Sequence, residues 1–257
     1  MGRLLKRYFF ALVAALLLSG VAAPSAHAAD VPATVAAAIN DPARAKDVAD
    51  DARRHGAELM AFTKAKAGDT VVDLIPGGGY FTRLFSAVVG PKGHVYAIWP
   101  TEYAGEAADD VAAMRALAKT PHYANISVIV QPAAQFSIPT KADVVWTSQN
   151  YHDYPDKFMG PTDPAILNRA VFNALKPGGE FVIIDHVAEA GSGMRDTDTL
   201  HRIDPAVIKA QVPVAGFVFD GESTVLRNPA DTHKIKVFDK SIRGHTDQFA
   251  YRFRKPE

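Results

Sequence analysis

Two kinds of hydrophobic pattern alternate along most of this chain. Short runs rich in β-branched residues occur at Thr70–Leu74, 94–98, 126–130, 143–147 and 180–184, each bounded by turn residues. Such runs predict strands buried on both faces. Between them the apolar positions recur every three or four residues. In Tyr80–Val89, Phe81, Leu84, Phe85 and Val88 share one helical face, and helices are also predicted over 106–119 and 164–175. Gly90-Pro91-Lys92-Gly93 and Lys176-Pro177-Gly178-Gly179 mark the turns. Asp204-Pro205 starts a further helix through Val214, because a carboxylate cap followed by proline suits a first turn. Residues 217–226 read as a strand, and Gln248–Arg254 alternates, with Phe249, Tyr251 and Phe253 on one face. The expected fold is α/β: a doubly wound, mostly parallel seven-stranded sheet that ends in a C-terminal antiparallel strand.

Ahead of this domain, which spans 68–257, residues 29–67 read as an N-terminal helical extension. A helix is expected from Asp41-Pro42 to Arg54, with Gly56 as its stop, and a second over 57–63. Residues 1–28 have the three parts of a secretory signal. Arg3, Lys6 and Arg7 form a basic start, 8–18 is an apolar run, and Ala26-His27-Ala28 offers a small-x-small cleavage site. Cleavage after Ala28 predicts a periplasmic or secreted protein of 229 residues with no membrane association.

Composition narrows the chemistry. The chain has 257 residues, with 28 basic against 28 acidic, and 48% hydrophobic residues, which argues for a packed core over disorder. Its charge balance gives no footprint for a nucleic-acid partner. With no cysteine, disulfide scaffolds, thiolate nucleophiles and zinc–cysteine sites are excluded.

The informative motif is Asp73-Leu74-Ile75-Pro76-Gly77-Gly78-Gly79-Tyr80, where the first strand turns into the first helix. Glycines let a backbone approach a ligand, the next helix presents free N–H groups, and ligands of open α/β sheets lie beyond the carboxyl ends of the strands. A dinucleotide G-x-G-x-x-G pattern is met at two of its three positions, by Gly77 and Gly79 but not at Thr82.

From Thr70 to Asp185 the chain resembles the class I, Rossmann-like S-adenosylmethionine-dependent methyltransferases. Val72 to Gly79 looks like their D-x-G-x-G-x-G motif, Gly90 to Ile98 like their second strand, Ala142-Asp143-Val144-Val145 like their fourth, and Leu175 to Asp185 like their "LKPGG" fifth strand. Asn150-Tyr151-His152-Asp153 and Arg243 to Phe249 are similar to a group of exported predicted methyltransferases of unknown substrate. The resemblance implies S-adenosyl-L-methionine as cofactor and a small-molecule methyl acceptor. It places Asp73, Gly77, Gly78, Gly79 and Tyr80 along the cofactor. Two positions depart from the family. Ile75 stands for a motif glycine, and because β-branched residues resist positive φ the turn is expected to differ in detail. Trp99 stands for the ribose-binding acid, so Trp99 is expected to stack on the adenine and Glu102 to supply the acceptor.

The acceptor is expected above the end of the fourth strand. There Asn150 would hold the methionine end or the substrate, His152 would act as general base near neutral pH and Asp153 would orient it. A second cluster, Asp185-His186 with His201-Arg202-Ile203-Asp204, reads as substrate contacts or as caps, and Gly191-Ser192-Gly193 as a lid loop. His152, Asp153, Asp185, His186 and His201 are a conceivable N/O ligand set, but no pair has i, i+4 spacing and no metal is expected. Arg53-Arg54-His55 reads as a solvated helix end. The competing expectation is a binding protein that keeps the fold without the chemistry.

Overall fold

The β-branched runs do form the sheet. β1 (Thr70–Leu74), β2 (His94–Pro100), β3 (Ile126–Gln131), β4 (Ala142–Ser148) and β5 (Leu175–His186) are parallel, with β6 (Val218–Ser223) at one edge and β7 (Gln248–Arg254) antiparallel between β5 and β6. The order is β3-β2-β1-β4-β5-β7-β6. The chain order reverses between β1 and β4, which makes that edge the topological switch point. The computed structural model describes residues 31–257, so the export expectation on 1–28 lies outside the described residues.

The helices are α1 (Ala33–Ile39), α2 (Val48–Arg54), α3 (Gly56–Phe62), α4 (Tyr80–Val89), α5 (Ala108–Leu117), α6 (Pro164–Ala174), α7 (Thr197–Leu200) and α8 (Pro205–Val214). α4 packs on β1 and β2, and the extension helices α1 and α3 pack on α4. Trp146 of β4 meets the ring of Phe81 at 4.7 Å and that of Phe85 at 5.5 Å, in the middle of the core. The carboxylates of Asp163 and Asp204 accept from Ala165 N at 2.8 Å and Ala206 N at 2.9 Å, capping α6 and α8; the second cap is the one that Asp204-Pro205 predicts.

Some element boundaries depart from the local pattern. The helix expected over 41–54 is a 3-10 turn, Pro42–Arg44, followed by α2, and the interruption falls where Arg44 turns inward. Its guanidinium donates to Ile39 O at 2.8 Å and to Asp51 at 2.6 Å, so an arginine is wholly buried in the extension. Gly56 does not stop that helix; His55, at φ +49°, does, and Gly56 begins α3. A Cβ on Gly56 would stand 2.3 Å from the Tyr80 hydroxyl, so close packing is what requires glycine there. β5 starts at Leu175: Leu175 pairs with Ala142 and Glu180 with Val144, so the Lys176–Gly179 stretch is a bulge within the strand rather than a separate turn.

Candidate active site

A cleft of about 650 Å³ opens at the switch point, within the usual size of a small-molecule site. The turn after β1 forms one wall and the segment after β4 the other; Lys46, Asp50 and Arg54 of the extension also border it. Of the six described non-glycine residues with positive φ, three border this cleft: Ile75 at +53°, Gln149 at +65° and His201 at +53°. Backbone strain of this kind concentrates where structure is held for a ligand.

The β1 wall keeps the left-handed bend in spite of its isoleucine, where the turn was expected to differ in detail. Ile75 takes φ +53° because it is tied from both sides. Its N–H donates to Ile98 O at 2.8 Å and its carbonyl accepts from Asn150 Nδ2 at 3.2 Å. Gly77 and Gly78 have open space where a Cβ would stand, so the floor of the cleft is bare backbone. Gly79, at φ +78°, lies against Met114, whose Cε would be 2.3 Å from an added Cβ. Arg83 clamps this turn to the extension: it donates to Gly78 O at 2.9 Å and is paired through two nitrogens with Asp47, at 2.6 and 2.5 Å. Tyr80 donates to Asp51 at 2.6 Å, and the Arg54 guanidinium sits 5.0 Å above its ring. Burial, and then the bond to Asp51, push the Tyr80 phenol well above its ordinary pKa. Burial also lowers the Arg54 guanidinium.

Asp73 does not reach the cleft. It lies beneath the turn, accepts from Thr82 Oγ1 at 2.7 Å, and is pushed by burial to a pKa of about 7. Trp99 is fully buried and has no face on the cleft, which removes the stacking role. The reason is strand length: β2 continues to Pro100 and Trp99 pairs with Val130 inside the sheet. Glu102 is exposed and turns the other way, accepting from Ala133 N at 3.1 Å and covering Gly160. Glu106 is the acidic side chain after β2 that borders the cleft.

The β4 wall is polar. Asn150 donates to Ser148 O at 2.6 Å as well as to Ile75, so it bridges the two walls and does not hang free. His152 is buried. Its Nδ1 lies 2.7 Å from Asp185 Oδ1 and its backbone N–H donates to Asp185 Oδ2 at 2.9 Å. Its Nε2 faces Asp153 Oδ1 at 3.0 Å and His201 Nδ1 at 3.2 Å. Asp153 Oδ1 is also 3.4 Å from His201 Nδ1, yet this buried oxygen accepts no aligned hydrogen bond. Burial pulls His152 down, but Asp185 and then Asp153 override it and raise the ring to a pKa of about 10. The expectation of a free base near neutral pH is thereby corrected: two carboxylates hold the ring in its protonated form. Burial pushes Asp153 up, and its two histidine neighbours bring it below the ordinary carboxylate range. His186 borders the same wall, bonded to Thr246 Oγ1 at 2.8 Å, and burial drives it to a pKa of about 3.

The second sequence cluster divides. His201 joins the wall, while Arg202 is wholly buried against Asp231 at 2.9 Å and donates to Val187 O and Ile235 O, each at 2.9 Å. That knot pins the 231–238 stretch, so that Val237 and Phe238 cover the cleft and the Phe238 ring sits 4.8 Å from that of His201. Asp204 caps α8 and accepts from Gly191 N at 2.7 Å, so Gly191-Ser192-Gly193 is a tied turn outside the cleft. Local reading missed Lys46, Asp47, Asp50 and Glu106. A sequence signal exists for Asp47: Arg83 interrupts the apolar run of α4, and a buried cation there needs a distant acid.

No family model matches the chain, and no curated protein matches it in sequence. Its shape does have relatives. A SAM-dependent methyltransferase from Aquifex aeolicus superposes with a TM-score of 0.54 at 17% identity, over 83% of this chain and 98% of the other. The glycopeptide N-methyltransferase MtfA, solved with S-adenosyl-L-methionine, gives 0.52 at 16% identity over 78% and 86%. The [4+2]-cyclase SpnF gives 0.57 at 17% identity over 79% and 80%. At these identities the likeness establishes the Rossmann-like methyltransferase fold.

Proposed function

We propose that this protein is an S-adenosylmethionine-dependent methyltransferase acting on a small-molecule acceptor. The carrying observation is Ile75: a β-branched residue held at φ +53° in the first βα turn, above bare Gly77 and Gly78, at the switch point of the sheet. Such strain is retained where a backbone must fit a ligand. The cofactor lies along Ile75–Gly79, with Tyr80 behind it; Lys46, Arg54, Asp50 and Glu106 suit its zwitterionic and hydroxyl-bearing ends. SAM-dependent methyltransferases of the same fold support this reading, and MtfA was solved with the cofactor bound.

The acceptor sits against Asp153 and His201, the two members of the β4 wall with open faces, and Asp185 and His152 position them. In the transfer, a lone pair of the acceptor forms the bond to the methyl carbon. The C–S bond would break with its electron pair returning to sulfur, and the acceptor proton would pass to the Asp153 carboxylate. Most of the rate comes from holding the two partners in line.

Calorimetry with S-adenosylmethionine and with its demethylated product is the test. One-site binding of either is expected, and no heat with both at millimolar ligand overturns the proposal. Because a cyclase shares the fold, release of demethylated product must be followed separately from binding. We further infer export from residues 1–28; the mature chain from cells is expected to begin at Ala29, and an intact N-terminus overturns that reading.

A further inference from the structure

We propose that His152 Nε2, His201 Nδ1 and Asp153 Oδ1 form a binding site for one divalent transition-metal ion. The three atoms make a triangle with sides of 3.0, 3.2 and 3.4 Å, and together they are the one such group among the described residues. For metal–ligand bonds of about 2.1 Å, donors at a right angle stand about 3.0 Å apart and donors at the tetrahedral angle about 3.4 Å. The sides of the triangle therefore match one face of a coordination shell.

Four further observations point the same way. Asp153 Oδ1 is buried without an aligned hydrogen bond, and a cation at the triangle satisfies it. The other ring nitrogen of His152 is engaged by Asp185 at 2.7 Å, so Nδ1 keeps its proton while an entering ion displaces the one on Nε2, the outer carboxylate arrangement that orients metal-binding histidines. His201 is fixed at φ +53° at the end of α7, next to the buried Arg202–Asp231 pair, so the most remote ligand is preset. Once the ion has displaced the His152 Nε2 proton, the charges of Asp153 and Asp185 balance a divalent ion, and two imidazoles with one carboxylate favour a transition ion over magnesium or calcium.

All three residues border the cleft, so three protein ligands leave open positions facing it. The remaining ligands are water or an anionic oxygen of the acceptor. Assigning an oxygen acceptor rests on the methyltransferase reading; the metal site does not. Local sequence spacing hid it, because His201 comes from 49 residues beyond His152 and not from the next turn of a helix.

The test uses untagged protein stripped with EDTA and titrated with Co²⁺, Zn²⁺ and Mg²⁺. One equivalent of Co²⁺ is expected, with visible ligand-field bands, displaced by Zn²⁺ and not by Mg²⁺. His201→Asn keeps a residue that tolerates the left-handed backbone and should weaken Co²⁺ binding by at least ~100-fold; Asp185→Asn should weaken it by ~10–100-fold. Circular dichroism checks that each variant is folded. Wild-type protein that takes up neither Co²⁺ nor Zn²⁺ stoichiometrically overturns the proposal, as does a folded His201→Asn variant with undiminished affinity. Cofactor calorimetry on the same preparation separates the failures: metal without cofactor binding sinks only the methyltransferase reading, and cofactor without metal sinks only this one.

Discussion

Asp73 and Asp185 belong to the two strands that flank β4, both near the carboxyl edge, and both are buried, yet their surroundings are opposite. Asp73, under the β1 wall, has a single partner, the Thr82 hydroxyl, and burial lifts its pKa to about 7. Asp185, behind the β4 wall, takes bonds from the His152 ring and from the backbone N–H groups of His152 and His186. One carboxyl is a brace beneath a strained turn that keeps its proton up to about pH 7; the other is half of an ion pair that aims an imidazole. A buried aspartate at a strand end therefore carries no fixed meaning, since its neighbours decide whether it stores a proton or holds a cation.

The comparison is broken most directly at Asp185. Asp185→Ala leaves His152 facing a cavity and should cost roughly 3–5 kcal/mol in urea denaturation, the usual price of removing one partner of a buried pair. A loss below about 1 kcal/mol would mean that the β4 wall is not built on this contact.

Asp73 should respond with the opposite sign. Folded, it keeps its proton up to about pH 7; unfolded, it releases it near 3.8. Between those values the folded state binds the extra proton, so stability falls as pH rises, and the penalty is complete above about 7. Asp73→Asn removes the charge and should stabilise the protein by on the order of 2–4 kcal/mol near pH 8, with little gain near pH 4. Equal gains at both pH values would show that Asp73 is not the titrating group.

The strain on the β1 wall is measured by a pair of substitutions. Ile75 and Ile98 are both buried and are joined by a backbone hydrogen bond, but only Ile75 is left-handed. Ile75→Gly should therefore cost roughly 1–3 kcal/mol less than Ile98→Gly, because glycine relieves strain only at the first site. Equal losses would remove the strain argument. The smallest effect is expected at Glu102: Glu102→Ala should stay within about 0.5 kcal/mol of the parent and leave cofactor affinity unchanged, since its carboxylate faces Ala133. A clear loss of cofactor affinity would return Glu102 to the site.

The sheet was legible because its signals are local. β1, α4 and β7 fall on the residues their periodicity marks, and the Asp204-Pro205 cap of α8 needs only a neighbour two residues away. The site was legible in part. The bend of Ile75–Gly79 and the position of Asn150, His152 and Asp153 after β4 follow from where strands end. Trp99 and Glu102 were misplaced because β2 runs on to Pro100, which an apolar run ending at Ile98 does not reveal.

What the sequence alone determined is the alternation of strand and helix, the glycine bend and the residue types at each strand's carboxyl end. Backbone preference and periodicity act over a few residues, so they can be read one window at a time. Tertiary structure alone decided that Asp185 and His201 meet His152 across 33 and 49 residues, and that Asp47 reaches Arg83 across 36. Those meetings depend on strand order and register, and no short stretch of chain contains them.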